Sequence, residues 1–107
     1  MTRRTLANRR HAETFELTVA GLGYTCTVGR FPDGSIAELF LSNHKSNSAA
    51  DTSARDSAIV FSIAVQSGAD PEVIRRALSR DSQGRASGLL GTALDLIATE
   101  QGTESTP

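Results

Sequence analysis

From Glu13 to Val19 the chain alternates, with Phe15, Leu17 and Val19 on one side and Glu16 and Thr18 on the other. Strict alternation marks a half-buried strand. Ala20-Gly21-Leu22-Gly23 interrupts it with two glycines, which permit the positive φ of a tight turn. Tyr24, Cys26 and Val28 then alternate with Thr25 and Thr27, all β-favouring residues. Phe31-Pro32-Asp33-Gly34 reads as a second turn, with Pro32 presetting φ and Gly34 suited to a left-handed position. Ile36–Leu41 is apolar at nearly every position except Glu38 and predicts a third strand. Three strands joined by short turns make an antiparallel meander.

The pattern changes after Leu41. Asn43 to Ser53 is polar and rich in Ser, Asn and Ala, and it ends at a helix start. Asp51 or Ser53 can cap that helix, with Asp56 three residues after Ser53 as in a capping box. The helix is expected to run to about Ser67, with Gly68 beyond it. Its apolar residues (Ala58, Ile59, Val60, Phe61, Ile63, Ala64, Val65) cover most of the circumference, which predicts a largely buried helix. Asp70 and Pro71 start a second helix as cap and first residue. Val73, Ile74, Ala77 and Leu78 form its apolar face, with Arg75 and Arg76 outward. Arg80–Gly88 reads as a loop; as a plain helix–helix turn, the alternative to a binding site, it would hold Arg80–Asp81 as a local ion pair. A third helix follows, with Leu89, Leu90, Ala93, Leu94, Ile97 and Ala98 in one stripe, ended by Gly102. The predicted fold is two-layer α+β: a three-stranded antiparallel meander followed by three helices packed on one face.

Composition sets the limits of this reading. The 107 residues suffice for one core, carry a net charge of −1 and are 21% charged, which excludes a polyelectrolyte or wholly disordered chain. No apolar run approaches the ~20 residues that span a bilayer, so no membrane partner is expected. The N-terminus shows no signal-peptide core, and with Cys26 as the sole cysteine the expected setting is a reducing cytoplasm. Four arginines (Arg3, Arg4, Arg9, Arg10) and no acid lie in the first eleven residues, leaving −5 on the remaining 96. The organisation expected is a flexible basic arm over residues 1–12, a domain over 13–101 and a flexible tail over 102–107. Nucleic acid is not an expected partner, because the body is acidic.

Two polar loops hold the candidate chemistry. Asn43–Ser48 precedes a helix N-terminus, whose free N–H groups favour anions; His44, Lys45, Ser46 and Ser48 add donors there. In the second loop Arg80 and Arg85 flank Gly84, and Ser87-Gly88 precedes the third helix. Arginine forks match phosphate oxygens and glycine permits close backbone approach. The run Gly84–Gly91 is neither a P-loop nor a dinucleotide fingerprint. His44 has no second ligand nearby, so no metal is expected, and no cofactor is implied. Neither His11 nor His44 completes a nucleophilic constellation with the serines, and Cys26 shares a strand face with Tyr24 and Val28, which favours a buried thiol.

Ala37-Glu38-Leu39-Phe40-Leu41, the Lys45 loop, and Ala54–Gly68 followed by Asp70-Pro71-Glu72 resemble the TSCPD domain, known near the C-terminus of cobalamin-dependent ribonucleotide reductases. Family members carry a similar strand, a K-x-G-S loop and an S-x-A-L-Q-x-G helix; here the loop reads Lys45-Ser46-Asn47-Ser48, without the glycine. The resemblance covers about residues 13–98. It implies a standalone accessory domain linked to nucleotides, since the reductase barrel, radical cysteines and cobalamin site have no room in this chain. The leading expectation is a non-enzymatic module that binds a nucleotide or other phosphorylated small molecule through His44, Lys45, Ser46, Ser48, Arg80, Arg85, Ser87 and Gly88. The alternative is a homo-oligomeric or protein-partner interaction module, since a three-stranded meander leaves two edges and an open face.

Overall fold

A computed structural model describes residues 12–105, with side chains described as far as Thr99. The arm expected over 1–12 lies outside the described residues except for Ala12, which begins the first strand. Strands β1 (Ala12–Val19), β2 (Leu22–Arg30) and β3 (Ile36–Asn43) form one antiparallel sheet in the order β1-β2-β3. Helices α1 (Ala49–Gln66), α2 (Pro71–Ala77) and α3 (Leu89–Ser105) follow. The meander and the α+β class are as the alternation predicts.

The β1–β2 turn is two residues, Ala20 and Gly21, with φ of 53° and 78°. Two positive φ values in a row are what a tightly twisted two-residue hairpin requires. The resulting register pairs Leu17 with Tyr24 and Phe15 with Cys26, and β2 then pairs Cys26 with Leu41 and Val28 with Leu39. One face thus collects Leu17, Tyr24, Cys26, Val28, Leu39 and Leu41, all buried. Against it lie Ala54, Ala58, Phe61 and Val65 of α1 and Ala93, Leu94 and Ile97 of α3. Burying a large apolar side chain of this kind contributes about 1.5–3 kcal/mol. The opposite face carries Thr14, Glu16, Thr25, Thr27, Phe40 and Ser42, and Thr14 and Thr27 share a 3.0 Å cross-strand hydrogen bond.

The helices depart from expectation in four ways. Ser48, not Asp51 or Ser53, caps α1, its Oγ accepting from the Asp51 N–H at 3.1 Å. Several cap-competent residues close together do not say which one wins, and here buried Asp51 is drawn into the first turn to satisfy the end of β3. Next, α1 is not largely buried: Ile59, Val60 and Ile63 are 54%, 68% and 44% exposed. A three-layer sandwich would cover that side, but the described residues form two layers. Third, α2 has no buried residue and Val73 is 63% exposed, so only Ile74 and Leu78 reach the core from that segment. Finally, α3 continues through Gly102 to Ser105, a glycine inside a helix costing only about 1 kcal/mol.

Candidate functional site

The Asn43–Ser48 loop is organised from beneath by Asp51. Its carboxylate accepts from the Asn43 N–H at 2.9 Å, the Asn47 N–H at 3.3 Å and Arg55 Nε at 2.9 Å. The Arg55 hydrogen bond, followed by the backbone donor at Asn43, holds this carboxyl below the usual carboxylate range. Lys45 N–H donates to Asn43 Oδ1, and Ser48 Oγ donates to the Lys45 carbonyl at 2.7 Å. Ser48 is therefore occupied as a cap, while Lys45 and Ser46 are exposed. His44 turns away to the open sheet face. Its Nε2 lies 3.2 Å from Thr25 Oγ1 and 3.9 Å from Glu16 Oε2, and its ring covers Gly23, where any Cβ would stand 2.6 Å from Nδ1. Both contacts use one nitrogen, so the group is not a relay from acid through imidazole to hydroxyl.

The second loop is closed by ion pairs. Arg80 grips Asp95 with both terminal nitrogens at 2.8 Å and donates to the carbonyls of Gly84 and Arg75. Arg75 bridges Asp95 and Glu72. Arg80, more than any other group, pulls the Asp95 carboxyl down to about 2. The Arg80–Asp81 pair of the plain-turn reading is absent, because Asp81 instead accepts from the Gln83 and Arg85 N–H groups and from Arg85 Nε. Arg75, expected outward, is three-quarters buried between α2 and α3; Arg76 alone of the two is a solvated residue. An Arg80 guanidinium held by four acceptor contacts is a staple joining α2 to α3, with little left to offer a phosphate. Arg85 is exposed beside Asp81. Ser87 N–H bonds the Ser79 carbonyl, and Gly88 precedes α3.

A cleft of about 400 Å³ between α1 and the start of α3 includes Gly88 but none of His44, Lys45, Ser46, Ser48, Arg80, Arg85 or Ser87. A concavity of about 460 Å³ lies elsewhere, between β3 and α1. One wall is Phe40 with Thr25 and Thr27; the other is Ile59 and Ile63 of α1, with Arg55 at the rim. Phe40 is 54% exposed.

The floor of this groove is a strand edge sealed by helix side chains. Ser62 Oγ accepts from the Leu39 N–H at 2.8 Å and donates back to the Leu39 carbonyl, and Gln66 Nε2 donates to the Ala37 carbonyl at 3.0 Å. Asp51 takes the Asn43 N–H at the far end. With side chains alternating along a strand, residues 37, 39, 41 and 43 turn their backbone groups to this edge. Opposite Leu41, one turn before Ser62, the helix carries Ala58, which has no polar atom.

Sequence reasoning missed this region. The signal was present as Ser62 and Gln66 four residues apart in an otherwise apolar helix, two polar residues that a buried row tolerates only when they are bonded. Cys26 is fully buried, and burial pushes its thiol up to about 12, which removes it from nucleophilic chemistry at neutral pH. No group of three or more His, Cys, Asp or Glu among the described residues is placed to hold a metal ion. No helix among them is long and apolar enough to cross a membrane. Comparison with protein-family models, curated proteins and solved structures gives no match to this chain.

Proposed function

We propose that this chain is a non-enzymatic interaction module that associates with a second copy of itself through the β3–α1 groove. The observation that carries the reading is the exposure of Phe40, Ile59 and Ile63 around one concavity. A contiguous apolar surface rimmed by polar groups marks an association site. An isologous contact would set Phe40 of one copy into the Ile59–Ile63 wall of the other. The net charge of −1 opposes self-association only weakly. The resemblance to a reductase accessory domain fits a role in assembly rather than turnover.

The phosphorylated-ligand reading has less to stand on, because Arg80 is engaged by Asp95 and neither Lys45 nor Arg85 lines the cleft between α1 and α3. Light scattering tests the association reading. A dimer at tens of micromolar is expected, and Phe40→Asp should convert it to a monomer without lowering the melting temperature, since Phe40 is exposed. A wild-type monomer at that concentration contradicts it, as does a dimer that Phe40→Asp leaves intact.

A further inference from the structure

Tyr24 stands on the core face of β2 and is only 7% exposed, yet among the described residues its hydroxyl has no hydrogen-bond partner. Buried phenol hydroxyls ordinarily find a partner. No unpartnered polar side-chain atom is fully enclosed, so the hydroxyl reaches open space, and the space Tyr24 lines is the 400 Å³ cleft between α1 and α3. That volume lies within the range of small-ligand sites.

The same cleft receives the N-terminus of α3. Ser48 caps α1 and Asp70 caps α2, but the residue before α3 is Gly88, which has no side chain to accept from the first turn. The helix ladder begins with the Thr92 N–H on the Gly88 carbonyl at 3.0 Å, leaving the Leu89, Leu90 and Gly91 N–H groups at the cleft wall. Ser53 and Ser79 line the same cleft, and among the described residues their hydroxyls have no hydrogen-bond partner. Donors converging on a helix N-terminus select an anion.

The charge and the body of that anion can be read from the rest of the lining. No cation lines the cleft, so a buried phosphate dianion would go uncompensated, whereas the helix terminus matches a single negative charge. Ala50, Ala54, Leu78 and Leu89 make the remainder apolar. We propose that this cleft binds a small monocarboxylate with a compact apolar tail, its carboxylate held by the α3 N-terminus and the Tyr24 hydroxyl. The site is separate from the β3–α1 groove and stands or falls independently of it.

The test is titration of the full chain with hexanoate, hexanamide and hexyl phosphate, followed through the amide resonances of Leu89, Leu90 and Gly91. Hexanoate should shift these resonances saturably, and hexanamide should bind at least about tenfold more weakly, the usual worth of a hydrogen-bonded charge. Tyr24→Phe should weaken hexanoate by about tenfold as well, with the melting temperature unchanged because the hydroxyl has no partner among the described residues. Phe40→Asp should leave hexanoate binding unaltered. Absence of saturable shifts, equal binding of hexanamide, tighter binding of hexyl phosphate, or indifference to Tyr24→Phe would each overturn the assignment.

Discussion

The two ends of the helical layer are held to the rest of the molecule by different forces. The α1–β3 region is apolar inside, with Phe61, Leu39 and Ala58 buried and the strand edge sealed by neutral side chains, Ser62 and Gln66. The α2–α3 region has no buried residue on α2 and is tied by charge, with Arg75 and Arg80 converging on Asp95. Packing of the first kind fixes a surface without occupying its outer side, so α1 is left with apolar residues facing outward. The ion cluster of the second kind consumes its own polar groups, so the loop that looks richest in phosphate-binding chemistry is the one with least to offer. Free chemistry lies where neutral packing has left groups over.

Perturbing each region separately tests this contrast. The largest effect is expected from Phe61→Ala, which empties a fully buried site between α1 and the sheet and should cost about 3–5 kcal/mol in denaturant unfolding. Ser62→Ala should cost about 1–3 kcal/mol, because it strips both the Leu39 N–H and C=O of their partner at a buried edge. Its hydrogen-exchange signature should centre on β3 and leave α2 unchanged. Asp95→Asn should cost less, about 1 kcal/mol, since the pairs are partly solvated and shared between two arginines. There the faster exchange should appear over residues 71–88 and should be mimicked in the wild type by about 1 M salt.

Acid gives a further handle on the same cluster. The Asp95 carboxyl sits at about 2 in the folded chain, chiefly through its Arg80 hydrogen bond, against about 3.9 unfolded. A depressed carboxyl stabilises fully above its unfolded value and progressively less as pH falls through its folded value. Stability from this group is therefore present at pH 5 and above (about one unit over the unfolded value) and drains away between about pH 4 and 2. Asp51 is shifted in the same direction, so acid should also loosen the Asn43–Ser48 loop. The Asp95 contribution is the difference between the wild type and Asp95→Asn, whose unfolding should be less acid-sensitive in that window.

The sheet was legible in the sequence because alternation with period two names both faces at once, and the turn residues set the register. The helices were legible as helices but not in what they touch. All-round apolarity in α1 announces burial without saying how many sides a two-layer fold can cover, which is why Ile59 and Ile63 emerge exposed. The Arg80–Asp95 pair joins residues fifteen apart on different elements, while Asp81 is adjacent and competes on paper. Only the tertiary path of the loop decides between them. Tyr24 read as an ordinary core residue, and its unbonded hydroxyl depends on where α3 starts relative to α1.

The association claim is tested most directly by hydrogen–deuterium exchange of the wild-type chain at two concentrations, one well below and one well above the dimerisation midpoint. Concentrating the protein should protect the amides of Phe40–Ser42 and Ile59–Ile63 and leave residues 71–88 unchanged. Protection that falls instead on the α2–α3 region, or on no segment at all, would contradict the assignment of the β3–α1 groove as the interface.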